Sequence, residues 1–292
     1  MDLFRRKLIH LHASPFVTRA LLRKIIKDDS KLNRIHLYTP HQMAERFQIK
    51  MEHSRALFDY LRDPNIMKKL DMIFQNITCI TIFDDSYPSL LKSIPDPPIV
   101  LYLLGNTQLL NVPSSLSVVG TRTPSIYAFP SMKKILNPLI NQGFMLVSGF
   151  AKGIDQYAHN LAVQQAGKTI AVLGSGFQHI YPKNNPALLQ ELCYHHLLVS
   201  EYPPDRQAKK YHFPERNRII SGLSQGTLVV EARMRSGSLI TVDQALEQGR
   251  EVYAMPSSIL NPASEGCHYL IQQGAKLVQS SQDILEDWKF KI

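Results

Sequence analysis

Cysteine is scarce in this 292-residue chain: it has three, Cys79, Cys193 and Cys267, which lie far apart and form no C-x-x-C pair. That spacing excludes a zinc ribbon and argues against a disulfide framework, as is typical of proteins from a reducing cytoplasm. The eleven histidines include no H-E-x-x-H or comparable ligand spacing. We therefore expect neither a bound metal nor a required cofactor.

Long apolar runs are also missing. No run approaches the roughly 18 residues that a membrane-spanning helix needs. Residues 1–7 become polar and basic again too soon for a signal peptide. We expect a cytoplasmic protein with no membrane partner.

Acidic residues are outnumbered by basic ones. Asp and Glu total 24 against 33 Lys and Arg, which gives a formal net charge of +9. Residues 1–75 and residues 122–235 each carry a net charge of +7, whereas 76–121 and 236–292 are mildly acidic. Because no strongly basic amphipathic helix stands out, this balance favours nucleic acid over a membrane surface as the polyanionic partner.

The sequence pattern divides the chain into three regions. Over residues 1–75, apolar side chains recur at helical spacing, as in Leu57 and Leu61, and predict a small helical domain. Prolines crowd residues 76–113 too densely for long helices or central strands, which indicates a connector along the edge of the larger domain. Residues 114–292 form the third region, in which short β-branched runs alternate with helical stretches.

That alternation predicts parallel βαβ units, so the fold class is α/β with a doubly wound, mainly parallel sheet. Ligands of such sheets bind beyond the carboxyl ends of the strands. Glycine, hydroxyl and arginine residues recur there, as in Gly120-Thr121-Arg122, and these residue types suit phosphate. The predicted strands are 116–119, 145–147, 169–173, 197–199, 227–230, 252–254 and 276–278.

Three enzyme signatures fail on their context. A P-loop-like stretch at 162–169 has a helical pattern before it and a strand after it, the reverse of a P-loop, so we interpret Gly167 as a helix cap. Residues 174–176 follow a strand but lack the third glycine and the helix of a dinucleotide fingerprint, which leaves an anion-holding turn. Residues 222–226 match a nucleophile elbow in reversed order, so Ser224 is interpreted as a turn residue.

A series of short motifs extends over about 160 residues, from Ser117 to Val278. Each motif alone is weak, but in their order and spacing the set closely resembles the DprA/Smf family of DNA-processing proteins. The motifs are SVVGTR (117–122), SGFAKGID (148–155), TIAVLGSG (169–176), YPKNN (181–185), SEYP (200–203), FPERNRIISGL (213–223), VEA (230–232), SGSLIT (236–241) and GA (274–275).

The resemblance implies a Rossmann-like core over 114–292 that binds single-stranded DNA without sequence preference and catalyses no reaction. It further implies a homodimer that protects incoming DNA and delivers RecA recombinase during natural transformation. The leading domain over 1–75 is expected to be of the SAM or helix-hairpin-helix type. Because the sequence ends soon after Trp288, we expect the additional C-terminal winged-helix-like domain of some members to be absent. Departures from the family pattern at Val242-Asp243, Ser257 and Cys267-His268 lie toward the C-terminal third, and the DNA-side motifs are intact.

The same resemblance places Arg122 and Lys183 in the DNA pocket, where each follows a strand and its glycine turn and can face phosphate. Arg216 and Arg218 lie near a predicted helix start, where a cation is favourable if an anion is present. Phe150 and Phe177 are candidates for base stacking, with a core position as the alternative. The predicted DNA-binding set is Arg122, Gly149, Lys152, Gly174, Gly176, Lys183, Asn184, Asn185, Arg216, Asn217 and Arg218.

Two rival interpretations stay open. Residues 226–231 loosely resemble a motif of a phosphoribohydrolase family, which suggests an enzyme on nucleotides, but the fuller glycine signature is missing. The other rival is an adaptor whose basic surface docks an acidic protein. Among acid–base candidates, Asp155 is interpreted as a helix cap, His159 as its hydrogen-bonded neighbour and Glu231 as buried support for the pocket.

Overall fold

The computed structural model describes residues 2–288, and the chain divides into two compact units, Met1–Thr81 and Ile82–Ile292. In the first unit, the Asp63 side chain caps a helix that Pro64 opens, because proline fits the first helical position, where no N–H is needed. The elements of this unit are α1 (Leu3–Ala13), α2 (Arg19–Asp28), α3 (Pro40–Phe47), α4 (Met51–Arg62), α5 (Pro64–Ile73) and β1 (Thr78–Thr81).

The second unit is built around a mainly parallel sheet. Its described strands are β2 (Val100–Gly105), β3 (Ser115–Val119), β4 (Met145–Ser148), β5 (Lys168–Leu173), β6 (Leu197–Ser200), β7 (Gly226–Val229), β8 (Glu251–Ala254) and β9 (Lys276–Leu277). They follow the order β2-β6-β5-β4-β3-β7-β8-β9. β2 is antiparallel to β6, and every other neighbouring pair in this order is parallel.

Helices flank this sheet. Leu116 and Val118 of β3 join Leu136 and Leu161 from two of these helices, α7 and α8, in the main apolar cluster. α10 and α11 pack against each other and contact β5, β7 and β8. The helices are α6 (Ser89–Lys92), α7 (Ala128–Asn141), α8 (Ile154–Gln164), α9 (Pro186–His195), α10 (His212–Gly222), α11 (Gly237–Glu247), α12 (Glu265–Gln272) and α13 (Ser281–Trp288).

The predicted fold class is confirmed, and each of the predicted strands begins and ends within one residue of the observed one. Most of these strands are buried on both faces and therefore form near-continuous apolar runs in the sequence. The proline-dense region differs from a plain connector. It contains β2, whose Tyr102 lies opposite Ser200 of β6, because no proline falls between Pro98 and Pro113 and the strand forms in that gap.

The reversed enzyme signatures are turns between a helix and a strand. α8 ends at Gln164 and β5 follows, as predicted, but Ala166 (φ 49°) rather than Gly167 takes the left-handed position. Gly167 is needed for a different reason, since a Cβ there would lie 2.3 Å from Cγ2 of Ile140. Ser224 lies in the turn between α10 and β7, as predicted, and its side chain is buried.

Two of the departures from the family pattern contact each other. Nε2 of His268 lies 3.0 Å from the carbonyl oxygen of Ser257. Cys267 is buried beside β7, and Val242 is also buried. In the described part of the chain, no helix is both long enough and apolar enough to cross a membrane.

Candidate nucleic-acid interface

A cavity of about 780 Å³ opens at the carboxyl ends of β3, β4 and β7. Segments that follow these strands line it, at residues 120–122, 151 and 233. β3 lies between β4, its successor along the chain, and β7, so the strand order reverses at this point. The cavity is therefore at the topological switch point of the sheet, where doubly wound proteins bind their ligands.

The wall of this cavity is strongly basic, and we call it the basic cavity. Among its described lining residues the one acidic side chain is Asp155, which is buried. A smaller adjoining cavity shares Arg122 and Arg216 with it and adds Lys152. The cations of the basic cavity are Arg122, Lys209, Lys210, Arg216 and Arg233. Such an excess of one sign in a concave site attracts polyanions.

Arg216 lies in the wall of both cavities although it is only 4% exposed. Its Nη1 donates to the carbonyl oxygen of Val172 at 2.6 Å, while its Nε has no partner among the described residues. Burial lowers the pKa of the guanidinium to about 10; the charge of Asp155 opposes that shift and the charge of Arg122 adds to it. An anion in the cavity would relieve the repulsion between the two arginines.

Gly149 makes room for this arginine. A Cβ at Gly149 would lie 1.9 Å from Nη1 of Arg216. The N–H groups of Gly149 and Ala151 both donate to Oδ2 of Asp155 at 3.2 Å. Gly149 lines the smaller cavity, but its N–H is not available to DNA, because a carboxylate of the protein itself already accepts that bond. Burial raises the pKa of the Asp155 carboxyl to about 6.

Gly174 and Gly176 also have a different role from the predicted one. The N–H of Gly176 donates to the carbonyl oxygen of Arg206 at 2.8 Å, and a Cβ there would lie 2.0 Å from the carbonyl oxygen of Pro203. A Cβ at Gly174 would lie 2.9 Å from the ring of Phe213. Both glycines are buried. They permit close packing, and neither of them lines the basic cavity or the smaller cavity.

The stacking candidates are different aromatic residues from those predicted. Phe150 is fully buried with Leu173, and Phe177 packs against the same apolar cluster, so neither ring faces the cavity. Tyr181 and Phe213 line it instead, with ring centroids 6.0 Å apart, and Tyr181 is 55% exposed. Tyr181 and Phe213 belong to the motifs YPKNN and FPERN, each of which also contains a predicted DNA-binding cation. Their position beside these cations is the feature of the sequence that could have identified them as stacking candidates.

The YPKNN segment holds an exposed lysine on a fixed loop. The side-chain amides of Asn184 and Gln156 form two reciprocal hydrogen bonds, at 3.0 and 3.1 Å. Oδ1 of Asn185 accepts a hydrogen bond from the N–H of Leu188 at the start of α9. Both asparagine side chains therefore fix the loop, which differs from their predicted contact with DNA. Lys183 is exposed next to Pro182, which lines the smaller cavity.

Arg218 does not belong to the basic cavity. Its Nη2 donates to both carboxylate oxygens of Glu201, at 2.7 and 2.8 Å, and its Nε donates to the carbonyl oxygen of Asp96 at 2.9 Å. The side chain is 7% exposed, so this is a buried ion pair. The prediction that Arg218 binds DNA is wrong.

The acid–base candidates have structural partners. Glu231 is buried and accepts from the N–H of Ser125 at 2.9 Å and from Nδ2 of Asn261 at 3.3 Å. Nδ1 of His159 lies 2.7 Å from Oγ1 of Thr169, so the expected hydrogen bond to Asp155 is replaced by one to β5. Thus, of these candidates, Asp155 alone lines the basic cavity.

The burial of His159 should make the stability of the fold depend on pH. Burial lowers its pKa from 6.5 to about 3, so the unfolded chain binds a proton that the folded chain excludes, and stability falls as pH falls from 6.5 towards 3. Between pH 7 and pH 5 this one residue should lower the free energy of unfolding by about 2 kcal/mol. Denaturant unfolding at both pH values measures it. The loss should be smaller by that amount in His159→Gln, and an equal loss in both proteins would contradict the assignment.

The fold and the site together define a Rossmann-like α/β protein with a basic, aromatic-lined cavity at its switch point. A family model described as DNA recombination-mediator protein A matches residues 78–289. The chain belongs to this family, the DprA/Smf family that the motifs indicated. Within residues 2–288, no group of three or more His, Cys, Asp or Glu side chains is arranged to hold a metal ion.

Relatives and solved structures agree with this membership. The chain is 50% identical over 217 residues to DNA processing protein DprA of Streptococcus pneumoniae, covering 74% of this chain and 76% of that protein. It is 47% identical over 213 residues to DprA of Bacillus subtilis, covering 73% and 72%. The X-ray structure of the S. pneumoniae protein superposes with a TM-score of 0.85 at 40% identity over 98% of each chain.

A second solved structure concerns the single-stranded DNA binding mode of DNA processing protein A from Helicobacter pylori. It superposes with a TM-score of 0.67 at 27% identity. The match covers 74% of this chain and 96% of that one.

Proposed function

We propose that this protein binds single-stranded DNA without sequence preference, with the phosphates against the basic cavity. The observation that carries the proposal is the convergence of five cations and two aromatic rings on one cavity whose single carboxylate is buried. The similarity to the H. pylori protein, whose structure concerns a binding mode for single-stranded DNA, supports the same ligand.

The residue types account for the lack of sequence preference. Arginine and lysine contact phosphates, which are the same at every nucleotide. Tyr181 is exposed beside Phe213, and an aromatic face stacks on any base with a gain of about 1–3 kcal/mol per base. Unpaired bases are needed for such stacking, so the cavity favours single strands over duplex DNA.

We propose further that the protein protects incoming DNA and loads RecA recombinase onto it during natural transformation, acting as a homodimer. The family description as a recombination mediator supports the RecA step. β9 lies at one end of the described strand order, and its Leu277 is 40% exposed; Tyr269 of α12, the helix that precedes β9 in the chain, is 45% exposed. Exposed apolar side chains beside an edge strand are a surface that fits a second copy.

Binding is tested with a matched pair of lysine variants. Lys209→Ala/Lys210→Ala removes two cations of the basic cavity, while Lys133→Ala/Lys134→Ala removes two exposed cations of α7 that lie outside it. Fluorescence anisotropy of labelled oligothymidine measures affinity across salt concentrations. We expect the first variant to bind at least about tenfold more weakly, with a salt slope less negative by about 1.4, at roughly 0.7 per phosphate contact.

The control variant should keep its affinity within about twofold and its salt slope nearly unchanged, because its lysines lie outside the basic cavity. Equal losses in both variants would mean that total charge, not the cavity, determines binding. Absence of binding by the wild type would reject the proposal. An assay for release of a base from a nucleoside monophosphate would then test the rival phosphoribohydrolase activity.

A further inference from the structure

The motif SGSLIT at 236–241 has no role in the site described so far. It forms the beginning of α11, an eleven-residue helix. Ser236, Gly237 and Ser238 line the basic cavity, so the N-terminal end of α11 opens into it. No side-chain cap closes this end of the helix.

The start of α11 offers hydrogen-bond donors to a ligand. The first N–H groups of any helix lack an intrahelical acceptor, and the helix dipole makes this end positive. Ser236 is at the N-cap position, yet its hydroxyl is buried and has no partner among the described residues. Gly237 is exposed, and a Cβ there would meet nothing within 4 Å, so the space in front of the helix is open.

A second, independent observation points to an anion at this place. Arg216 is 4% exposed and lies in the same wall, and its Nε has no partner in the part of the chain that the structure describes. Nδ2 of Asn217 donates to the carbonyl oxygen of Gly237 at 3.3 Å, and Nε2 of Gln244 donates to that of Pro214 at 3.1 Å. The first bond fixes the start of α11 against α10, the helix that carries Arg216, and the second fixes a later turn of α11 against the same helix.

We propose that the N-terminus of α11 is a subsite for a phosphate monoester, so that a phosphorylated strand end is held there. The inference rests on the proposed function. An internal phosphodiester has two non-bridging oxygens and one negative charge, whereas a terminal monoester has three such oxygens and nearly two charges. Backbone N–H groups at a helix start together with a guanidinium suit the second group better.

Three labelled oligothymidines of one length test the subsite: one with a 5′-phosphate, one with a 3′-phosphate and one with hydroxyls at both ends. Each is titrated against the wild type, Ser238→Asp and Ser238→Asn. The aspartate brings a negative charge to the first turn, which is favourable for the helix and repels phosphate. The asparagine is the neutral control of the same shape, and thermal unfolding of each variant checks the fold.

We expect the wild type to bind one of the two phosphorylated oligonucleotides about fivefold more tightly than the unphosphorylated one. Ser238→Asn should keep most of that preference. Ser238→Asp should lose it without a lower melting temperature.

Equal binding of the three oligonucleotides by the wild type would overturn the subsite while leaving the proposed function intact. A preference that survives Ser238→Asp would also overturn it, since the phosphate would then be held elsewhere. Parallel weakening of all three by Ser238→Asp would assign the helix start to an internal phosphodiester and reject the monoester. Failure of every oligonucleotide to bind would reject the proposed function and this subsite together.

Discussion

Replacing Arg218 by alanine is expected to lower the free energy of unfolding of the second unit by about 3–5 kcal/mol. The guanidinium donates to both oxygens of Glu201 in a pair whose side chains are 7% and 4% exposed. Its removal leaves a buried carboxylate without its charged partner, and that desolvated charge is the main source of the loss. DNA affinity of the folded protein should stay within about twofold, because Arg218 does not line the basic cavity.

The chain carries a built-in reporter for this measurement. Trp288 is its one tryptophan, and its ring lies buried 5.1 Å from that of Phe144. Its fluorescence during denaturant unfolding therefore follows the second unit. The variant Arg218→Met/Glu201→Leu removes both charges and should be more stable than Arg218→Ala alone, since a buried pair can be replaced by apolar groups at little cost. A midpoint for Arg218→Ala equal to that of the wild type would contradict the assignment.

The contrast between Arg216 and Arg218 shows what helical geometry adds to a motif. The two residues are close together in the pattern FPERNR, and the sequence assigns both to DNA. The side chains of residues two apart on a helix point about 200° away from each other around its axis. One guanidinium therefore lies in the basic cavity, and the other turns away towards Glu201. The spacing itself contained this distinction.

The location of the site could be predicted from the sequence because it depends on chain order alone. Strands buried on both faces form apolar runs, and the residue after such a run lies at the carboxyl edge of the sheet. Arg122 follows β3 in this way and lines the cavity as expected. Lys209 and Lys210 were missed because they are in the long loop between β6 and α10, well beyond the end of the strand.

The glycines could not be assigned from the sequence because their N–H partners come from other parts of the chain. Gly149 donates to Asp155, six residues away, and Gly176 donates to Arg206, thirty residues away. A glycine after a strand is equally compatible with binding an anion and with admitting a neighbouring group. Only the packed structure shows that Gly149 admits the side chain of Arg216.

Gly149→Ala is the second change with a large expected effect. The new methyl group would lie 1.9 Å from Nη1 of Arg216 and 2.7 Å from Nη2. The guanidinium is buried and bonded to the carbonyl oxygen of Val172, so it has little room to shift in place. Its displacement would leave Asp155 buried without a cation. We expect the free energy of unfolding to fall by about 3 kcal/mol or more.

DNA affinity should fall together with stability in this variant, by about tenfold or more, because a displaced Arg216 no longer contributes its charge to the cavity wall. Gly237→Ala is the stability control, since a Cβ there meets nothing within 4 Å and alanine in place of glycine costs little in open space. The double variant Gly149→Ala/Asp155→Asn separates the two effects. It removes the unpaired carboxylate, so it should recover part of the lost stability but none of the lost affinity. Recovery of both would mean that Arg216 returns to the cavity in spite of the methyl group, and the packing argument for Gly149 would be wrong.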